Sequence, residues 1–327
     1  MPTQALVLGE ADLRPLISIP SRMDSAIDAI EQATADYHRG QVREGNLEDV
    51  TPGDAPNLVQ VHFAADDAMV SGFQVFAERR GGGPALPNSR FVTLLDRETR
   101  QLLAIVDYVC LNPLRVGASA GLACRYLAPS GARVAGILGS GKQARTQLQA
   151  IQRSVPTLER ARVYSPTKEH REAFAKEVTD WLDLPIEPVD SAEEATRGAD
   201  IVDLANDSRQ TALAMDWVKA GALIVNIGGS WLPPEAMQGP RVVSTTWESL
   251  ATREPYAVAV KAGRYGPDNV AAELGALIVD GTKVRRDPGE TVVFELSRIN
   301  VWAVAVAHWA YQWALHDGVG TPIILSS

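Results

Sequence analysis

The residues best suited to chemistry in this chain are Gly139-Ser140-Gly141-Lys142-Gln143-Ala144. They follow the apolar run VAGIL and precede the helical stretch RTQLQAIQR. The pattern G-x-G-x-x-A between a strand and a helix is the spacing that cradles a dinucleotide pyrophosphate. Gly139 permits the tight turn, Gly141 lets the backbone approach the phosphates, and Ala144 is small enough for close helix–strand packing. Phosphate oxygens would then meet the amides at the helix start, where the peptide dipoles favour negative charge. A glycine-rich turn alone is weak evidence. The alternation of elements downstream gives it weight.

The end of the next strand, Tyr164-Ser165-Pro166-Thr167-Lys168, bears on the choice of cofactor. Sites that take NAD place Asp or Glu there to hold the ribose hydroxyls. No carboxylate stands here, so a 2′-phosphate meets no repulsion. Ser165 and Thr167 offer hydroxyl donors, and Lys168 or Arg171 offers positive charge. The same residues also read as an ordinary polar helix start, with Thr167 as N-cap. NADP(H) is therefore the preferred cofactor, with NAD(H) admitted. Asn206 and Ser208, after the fourth strand, fit the rim over a nicotinamide ribose, and Ile227 and Gly228, after the fifth, are counted with them.

Strands and helices must position these groups. Residues 22–38 carry Met23, Ala26, Ile27, Ile30 and Ala33 at the spacing of an amphipathic helix. Residues 52–57 and 81–88 are rich in Gly and Pro and read as loops, while VQVHFA, FQVFAE and FVTLLD read as strands. From Val134 the rhythm changes: VAGILG, ARVYS, PIEPV, ADIVDLA and ALIVNIG alternate with helical stretches, including residues 168–181 and one near Trp217. Such alternation implies a parallel sheet with helices on both faces, an α/β dinucleotide-binding (Rossmann) domain. A helix near 269–279 and a strand at 291–295 complete it. The last helix, 297–316, sets Trp302, Trp309 and Trp313 on one face, too apolar to stay exposed. It is expected to pack back on the N-terminal unit. Residues 1–115 with 297–327 then form a discontinuous α+β substrate-binding and dimerisation domain, and residues 116–296 form the Rossmann domain.

Composition narrows the function classes. The formal net charge of −9 over 327 residues, with only short basic clusters, argues against a nucleic-acid surface. The N-terminus lacks the pattern of a secretory signal, no apolar run is long enough to span a membrane, and a cytoplasmic setting is expected. Cys110 and Cys124 sit in apolar surroundings and read as core residues. No histidine has the i+3 or i+4 partner of a helical metal pair, so no metal is expected. The adjacent pairs Asp66-Asp67 and Glu193-Glu194 read as solvated.

Several segments resemble the ornithine cyclodeaminase/mu-crystallin family. LLDRETRQLLAIVDYVCLNPLRVGASAGLACRYLAP is similar to its strand–turn–strand and Arg-containing helix start, and GILGSGKQARTQL to its cofactor turn. ARVYSPTKEHREAFAKEV, GADIVDLANDS, GALIVNIGGS and AHWAYQWALHDGVG follow in the family's order. The resemblance implies a two-domain homodimer with the substrate in the cleft between the domains, and its mu-crystallin-like second strand implies NADPH. Arg115 matches the arginine that pairs with a substrate carboxylate, a task that its bidentate fork also suits on chemical grounds. His62 lies near where the family's substrate pocket begins. It reads either as a proton donor poised near neutral pH or as a packed or surface histidine.

Departures from the family pattern bear on the reaction. The counterpart of the catalytic lysine falls at Gln74, or at Gly72 after a shift, and the carboxylate after the fifth strand is replaced by Ser230. The last helix also departs, with LSRINVWAVAV where the family has a Gly and an acidic residue. Cyclodeamination needs proton transfers at several stages, whereas reduction of a protonated imine needs only a well-aligned hydride. The expectation is an NAD(P)H-dependent reductase of the C=N bond of a small imino acid, with Arg115, Gln74, Ser230 and His62 as its substrate-side residues. The rivals are an amino-acid dehydrogenase or N-alkylating reductase, a true cyclodeaminase, and an NADP-dependent binding protein with little turnover.

Overall fold

The computed structural model describes residues 4–19, 21–46, 57–65, 70–79, 89–206, 213–227, 232–297 and 299–324. Along the chain run β1 (Gln4–Leu8), α1 (Glu10–Ser18), α2 (Arg22–His38), β2 (Arg43–Asn46), β3 (Asn57–Ala65), β4 (Val70–Arg79), β5 (Ser89–Asp96), β6 (Leu102–Asp107) and α3 (Tyr108–Leu127). Next come β7 (Val134–Leu138), α4 (Lys142–Ser154), β8 (Arg160–Tyr164), α5 (Lys168–Leu182), β9 (Ile186–Pro188), α6 (Ala192–Thr196), β10 (Ile201–Leu204) and β11 (Leu223–Asn226). Then follow α7 (Glu235–Gln238), β12 (Arg241–Ser244), α8 (Trp247–Leu250), α9 (Tyr256–Lys261), β13 (Val270–Glu273), α10 (Leu274–Val279), β14 (Val292–Glu295), α11 (Val301–Asp317) and β15 (Thr321–Ile324). The chain divides into one unit of residues 1–115 and 300–327 and a second of residues 116–299.

The second unit holds an eight-stranded sheet in the order β13-β12-β14-β11-β10-β7-β8-β9, and every pairing in it is parallel. Strands β7, β10, β11 and β14 are buried at every position. Parallel connections lay helices over both faces, so these strands read as continuous Val/Ile/Leu runs instead of alternating ones. The chain leaves β7 toward β8 and β9, then returns to β10 on the other side. This reversal of strand order marks the ligand-binding edge of a doubly wound Rossmann fold.

The first unit holds a seven-stranded sheet, β15-β1-β6-β5-β4-β3-β2, antiparallel except between β1 and β6. Helix α11 packs on α2 and across β3, β4, β5 and β6. Under it, Val70, Val92, Leu94, Ala104 and Val106 are buried, while Phe73, Val75, Phe91, Leu95, Leu103 and Ile105 on the opposite face are half-buried. Period-two alternation thus sorts one face into this unit's core. Trp302 is fully buried and its indole N–H donates to Thr34 Oγ1 at 2.8 Å. Glu44 Oε2 accepts from the backbone amides of Asn300 and Val301, at 2.5 and 3.2 Å, and so caps α11.

Three local expectations are corrected. The expected helix at 269–279 is strand β13 followed by the short α10, because residues 270–273 complete the edge of the parallel sheet beside β12. The helix near Trp217 is a single 3-10 turn, Met215–Trp217. The last helix starts at Val301 and not at 297, since Ser297 is held in buried hydrogen bonds with Thr245 and Thr246. The Gly/Pro stretches at 52–56 and 81–88 lie outside the described residues, and Asn57 opens β3.

Candidate cofactor site and substrate-side residues

The turn after β7 is built so that only glycine serves at its first position. Gly139 has φ +132°, and a Cβ there would stand 2.5 Å from the carbonyl oxygen of Ala205, which follows β10. Its N–H donates to the carbonyl of Tyr164, tying the turn to the end of β8 at 2.8 Å. Asn206 Nδ2 donates to the carbonyl of Leu138 at 3.0 Å, which ties the end of β10 to β7. Arg145 carries no distinguishing mark in the sequence. Its Nη1 donates to the carbonyls of Ser140 and Gly141 at 2.8 and 3.1 Å, while its other nitrogens bind Glu177. The guanidinium therefore pins the turn from behind.

Gly141 differs from Gly139. It is the N-cap of α4 with φ −78° and ψ −177°, and a Cβ there would meet nothing within 4 Å. The protein's own packing does not require glycine at this position. Gly141 provides no side-chain cap, so the first-turn amides of Lys142, Gln143 and Ala144 have no side-chain acceptor at the cap. Ala144 is fully buried, as close helix–strand packing demands. An open cradle with uncapped amides at the reversal point of the sheet fits a bound pyrophosphate.

At the end of β8 the expected donors are more committed than the sequence suggests. Ser140 Oγ donates to Ser165 Oγ at 2.9 Å, and Ser165 Oγ donates to the Thr167 carbonyl at 3.2 Å. Thr167 stands at the N-cap of α5, but its side chain makes no capping bond. Lys168 is exposed and lies 3.7 Å from Glu172. Arg171, expected to offer positive charge, is buried because it lies on the inward face of α5. It pairs with Asp190, and its Nη1 donates to the Ser165 carbonyl at 3.1 Å.

A buried polar cluster underlies the ends of β11 and β14. Asn226 Nδ2 donates to Glu295 Oε1 and Oε2 at 3.1 and 3.2 Å, the Tyr256 hydroxyl donates to Oε1 at 3.2 Å, and Arg253 lies 3.5 Å from Oε2. Burial raises the Glu295 carboxyl above the usual range despite Arg253. No spacing in the sequence marks this cluster, whose members come from three separate segments. Ile227 is buried just beyond it. Ser208, Gly228 and Ser230 lie outside the described residues.

In the first unit, His62 on β3 pairs directly across from Gln74 on β4, which places these two expected residues opposite each other. Gly72, the alternative counterpart of the family lysine, is closely covered: a Cβ there would stand 2.8 Å from the Thr93 carbonyl oxygen and 3.2 Å from Val304. Arg115 is half-buried on α3, its Nη2 donating to Asn112 Oδ1 at 2.8 Å and its Nε to the Tyr108 hydroxyl at 3.3 Å. These neutral partners orient the guanidinium and leave its charge uncompensated by them. Burial pushes the Cys110 thiol up to about 12 and holds Cys124 well above the ordinary thiol range, so both behave as packing residues. No cluster of three or more His, Cys, Asp or Glu that could hold a metal occurs among the described residues. No helix among them is long and apolar enough to cross a membrane.

The model of the ornithine cyclodeaminase/mu-crystallin family matches residues 13–318. The chain is 28% identical over 336 residues to alanine dehydrogenase of Archaeoglobus fulgidus, covering 98% of each. Among solved structures it is similar to Delta(1)-pyrroline-2-carboxylate reductase of Thermococcus litoralis in complex with NADH and L-proline, with TM-score 0.86, 26% identity, and 97% and 99% of the two chains covered. It is likewise similar to an archaeal alanine dehydrogenase dimer with bound NAD, with TM-score 0.84, 27% identity, and 99% and 100% covered.

Proposed function

The chain belongs to the ornithine cyclodeaminase/mu-crystallin family, and from that premise we propose that it is an NAD(P)H-dependent reductase of the C=N bond of a small 2-imino acid. The observation that carries the reading is the Gly139–Ala144 turn, pinned by Arg145 and open at Gly141, in a chain whose full-length relatives are named for work on amino and imino acids. Bound there, a nicotinamide cofactor would supply hydride to an electrophilic imine carbon. Gly141 and the first-turn amides of α4 would hold its pyrophosphate, and Asn206 would stand beside its ribose.

The remaining chemistry falls to the chain's own side chains. Arg115, oriented by Tyr108 and Asn112, pairs with the substrate carboxylate. Gln74 and Ser230 orient the imine nitrogen or a water without acting as acids. His62, across from Gln74, or water supplies a proton where one is needed. Gly72 has no room for a lysine, and with Gln74 at the other candidate position the multi-step proton transfers of cyclodeamination lack a base at either place. NADP(H) is favoured because no carboxylate ends β8 and Lys168 is exposed nearby. The half-buried apolar face of Phe73, Val75, Phe91 and Ile105 suits a symmetric contact with a second copy.

The test is NADPH oxidation across cyclic 2-imino acids and keto acid–amine pairs. Turnover with preformed cyclic imines supports the reading. Turnover only with a keto acid plus an amine favours a dehydrogenase or N-alkylating reductase, and tight NADPH binding without turnover on any of them favours a binding protein. Release of ammonia from ornithine would overturn the mechanism. Sedimentation as a monomer at micromolar concentration would remove the homodimer.

A further inference from the structure

The ion pair between Arg171 and Asp190 is unevenly exposed: the arginine side chain is 8% exposed and the aspartate side chain 84%. The cation is walled in. Its Nη1 donates to the Ser165 carbonyl at 3.1 Å, and its guanidinium lies 6.0 Å from the centroid of the Tyr164 ring. It is therefore fixed beneath the end of β8, the strand end that faces an adenosine ribose in this fold. The anion is not fixed in the same way. Asp190 follows β9, outside any regular element, and its backbone amide donates to Glu194 Oε2 at 3.0 Å. A buried guanidinium needs an anion beside it, but that anion need not always be the same one.

We infer that Asp190 is a specificity-determining residue, its carboxylate resting at Arg171 where the 2′-phosphate of NADP(H) would otherwise bind. The inference rests on the cofactor reading above. With NADH bound, the Arg171–Asp190 pair is undisturbed. With NADPH bound, the 2′-phosphate and the Asp190 carboxylate compete for one guanidinium and repel each other. Asp190 thus holds down a preference for NADPH that the carboxylate-free end of β8 would otherwise express in full. A purely structural ion pair, joining α5 to the segment after β9, would affect both nucleotides equally.

The experiment measures dissociation constants of NADPH and NADH by fluorescence titration, alongside thermal melts of each variant. Asp190→Asn should tighten NADPH about tenfold, the scale of one charge-assisted hydrogen bond, and leave NADH within about twofold. Removing Asp190 leaves a buried charge without its partner and could compromise folding. Arg171→Gln lessens that hazard, because the carboxylate it leaves behind is solvated and the glutamine amide keeps a donor for the Ser165 carbonyl. This second variant should weaken NADPH about tenfold and again leave NADH within about twofold. An unchanged NADPH-to-NADH ratio in either folded variant, or a shift in the opposite direction, overturns the assignment. If neither nucleotide binds the wild-type protein, the cofactor reading itself fails, a result distinct from an unchanged ratio.

Discussion

Replacing Gly141 by Ala separates what the turn does for the fold from what it does for a ligand. The backbone there is extended, with φ −78° and ψ −177°, and the added methyl group would meet nothing within 4 Å. No strain follows. Two small stability terms remain, and they oppose each other. Restricting the unfolded chain stabilises by about 0.4–1 kcal/mol. An alanine N-cap is worse than glycine by roughly 0.5–1 kcal/mol. The apo melting temperature should therefore move by no more than about 4 °C. Ligand binding should respond very differently, because the methyl group would stand where the backbone must approach a pyrophosphate. Losing one such charge-assisted contact costs about 1.5–3 kcal/mol, a ten- to hundredfold weaker Kd for NADPH. At a ligand concentration of about 100 Kd, NADPH adds about 2.7 kcal/mol to wild-type stability, and about half or more of that increment should vanish in the variant. Gly139→Ala is the control. At φ +132°, with its Cβ 2.5 Å from the Ala205 carbonyl oxygen, it should lower the apo melting temperature directly. Melts with and without NADPH decide the matter. A Gly141→Ala protein that keeps the full NADPH increment would refute the cradle, and one that melts as early as Gly139→Ala would refute the argument from open space.

Three further outcomes are expected. Trp302→Ala empties a fully buried site and leaves Thr34 Oγ1 without its indole donor, so denaturant titration should show a loss of about 3–5 kcal/mol; a loss under 1 kcal/mol would contradict the packing described for α11. Burial raises the Asp203 carboxyl well above its ordinary pKa, so its contribution to stability is intact below the unfolded-state value and declines as pH rises. Asp203→Asn should then gain on the wild type in melts carried from pH 5 toward pH 9, and a pH-independent difference would disprove the sign. Arg115→Ala should lower kcat/KM on the true substrate by roughly two to three orders of magnitude. Cofactor affinity should hold within about twofold, since Arg115 lies outside the phosphate turn; full retained activity would withdraw its carboxylate-binding role.

The elements around the cofactor turn were legible because they follow from local rules. VAGIL, the G-x-G-x-x-A spacing and the helix after it obey strand burial, turn sterics and helix periodicity, each confined to a few consecutive residues. The helix over 22–38 was legible for the same reason. Features that depend on distant segments were not. Arg145 reads as one more charge on a helix, and only the fold brings it to the Ser140 and Gly141 carbonyls. Arg171 reads as a charge near a helix start, since its partner Asp190 lies beyond a whole strand. The Asn226–Glu295–Tyr256–Arg253 cluster has no sequence signature, for its members meet only when β11 and β14 are aligned. The segment 270–273 reads as helix in the sequence because four residues of strand beside a short helix fall below the length at which periodicity can discriminate.

The return of the chain to its first unit has a consequence for how the protein is made. On the ribosome, residues 116–299 are finished before α11 and β15 have been synthesised. The second unit therefore has all of its strands synthesised while the first, although begun earlier, still lacks the helix that covers Val92, Leu94, Ala104 and Val106. Its strand β1 also lacks its outer neighbour. The unit that begins first in the sequence is thus the last to have all of its elements synthesised. A nascent chain paused near residue 299 would carry an uncovered apolar sheet with an open edge, the kind of surface that recruits chaperones or pairs with another chain.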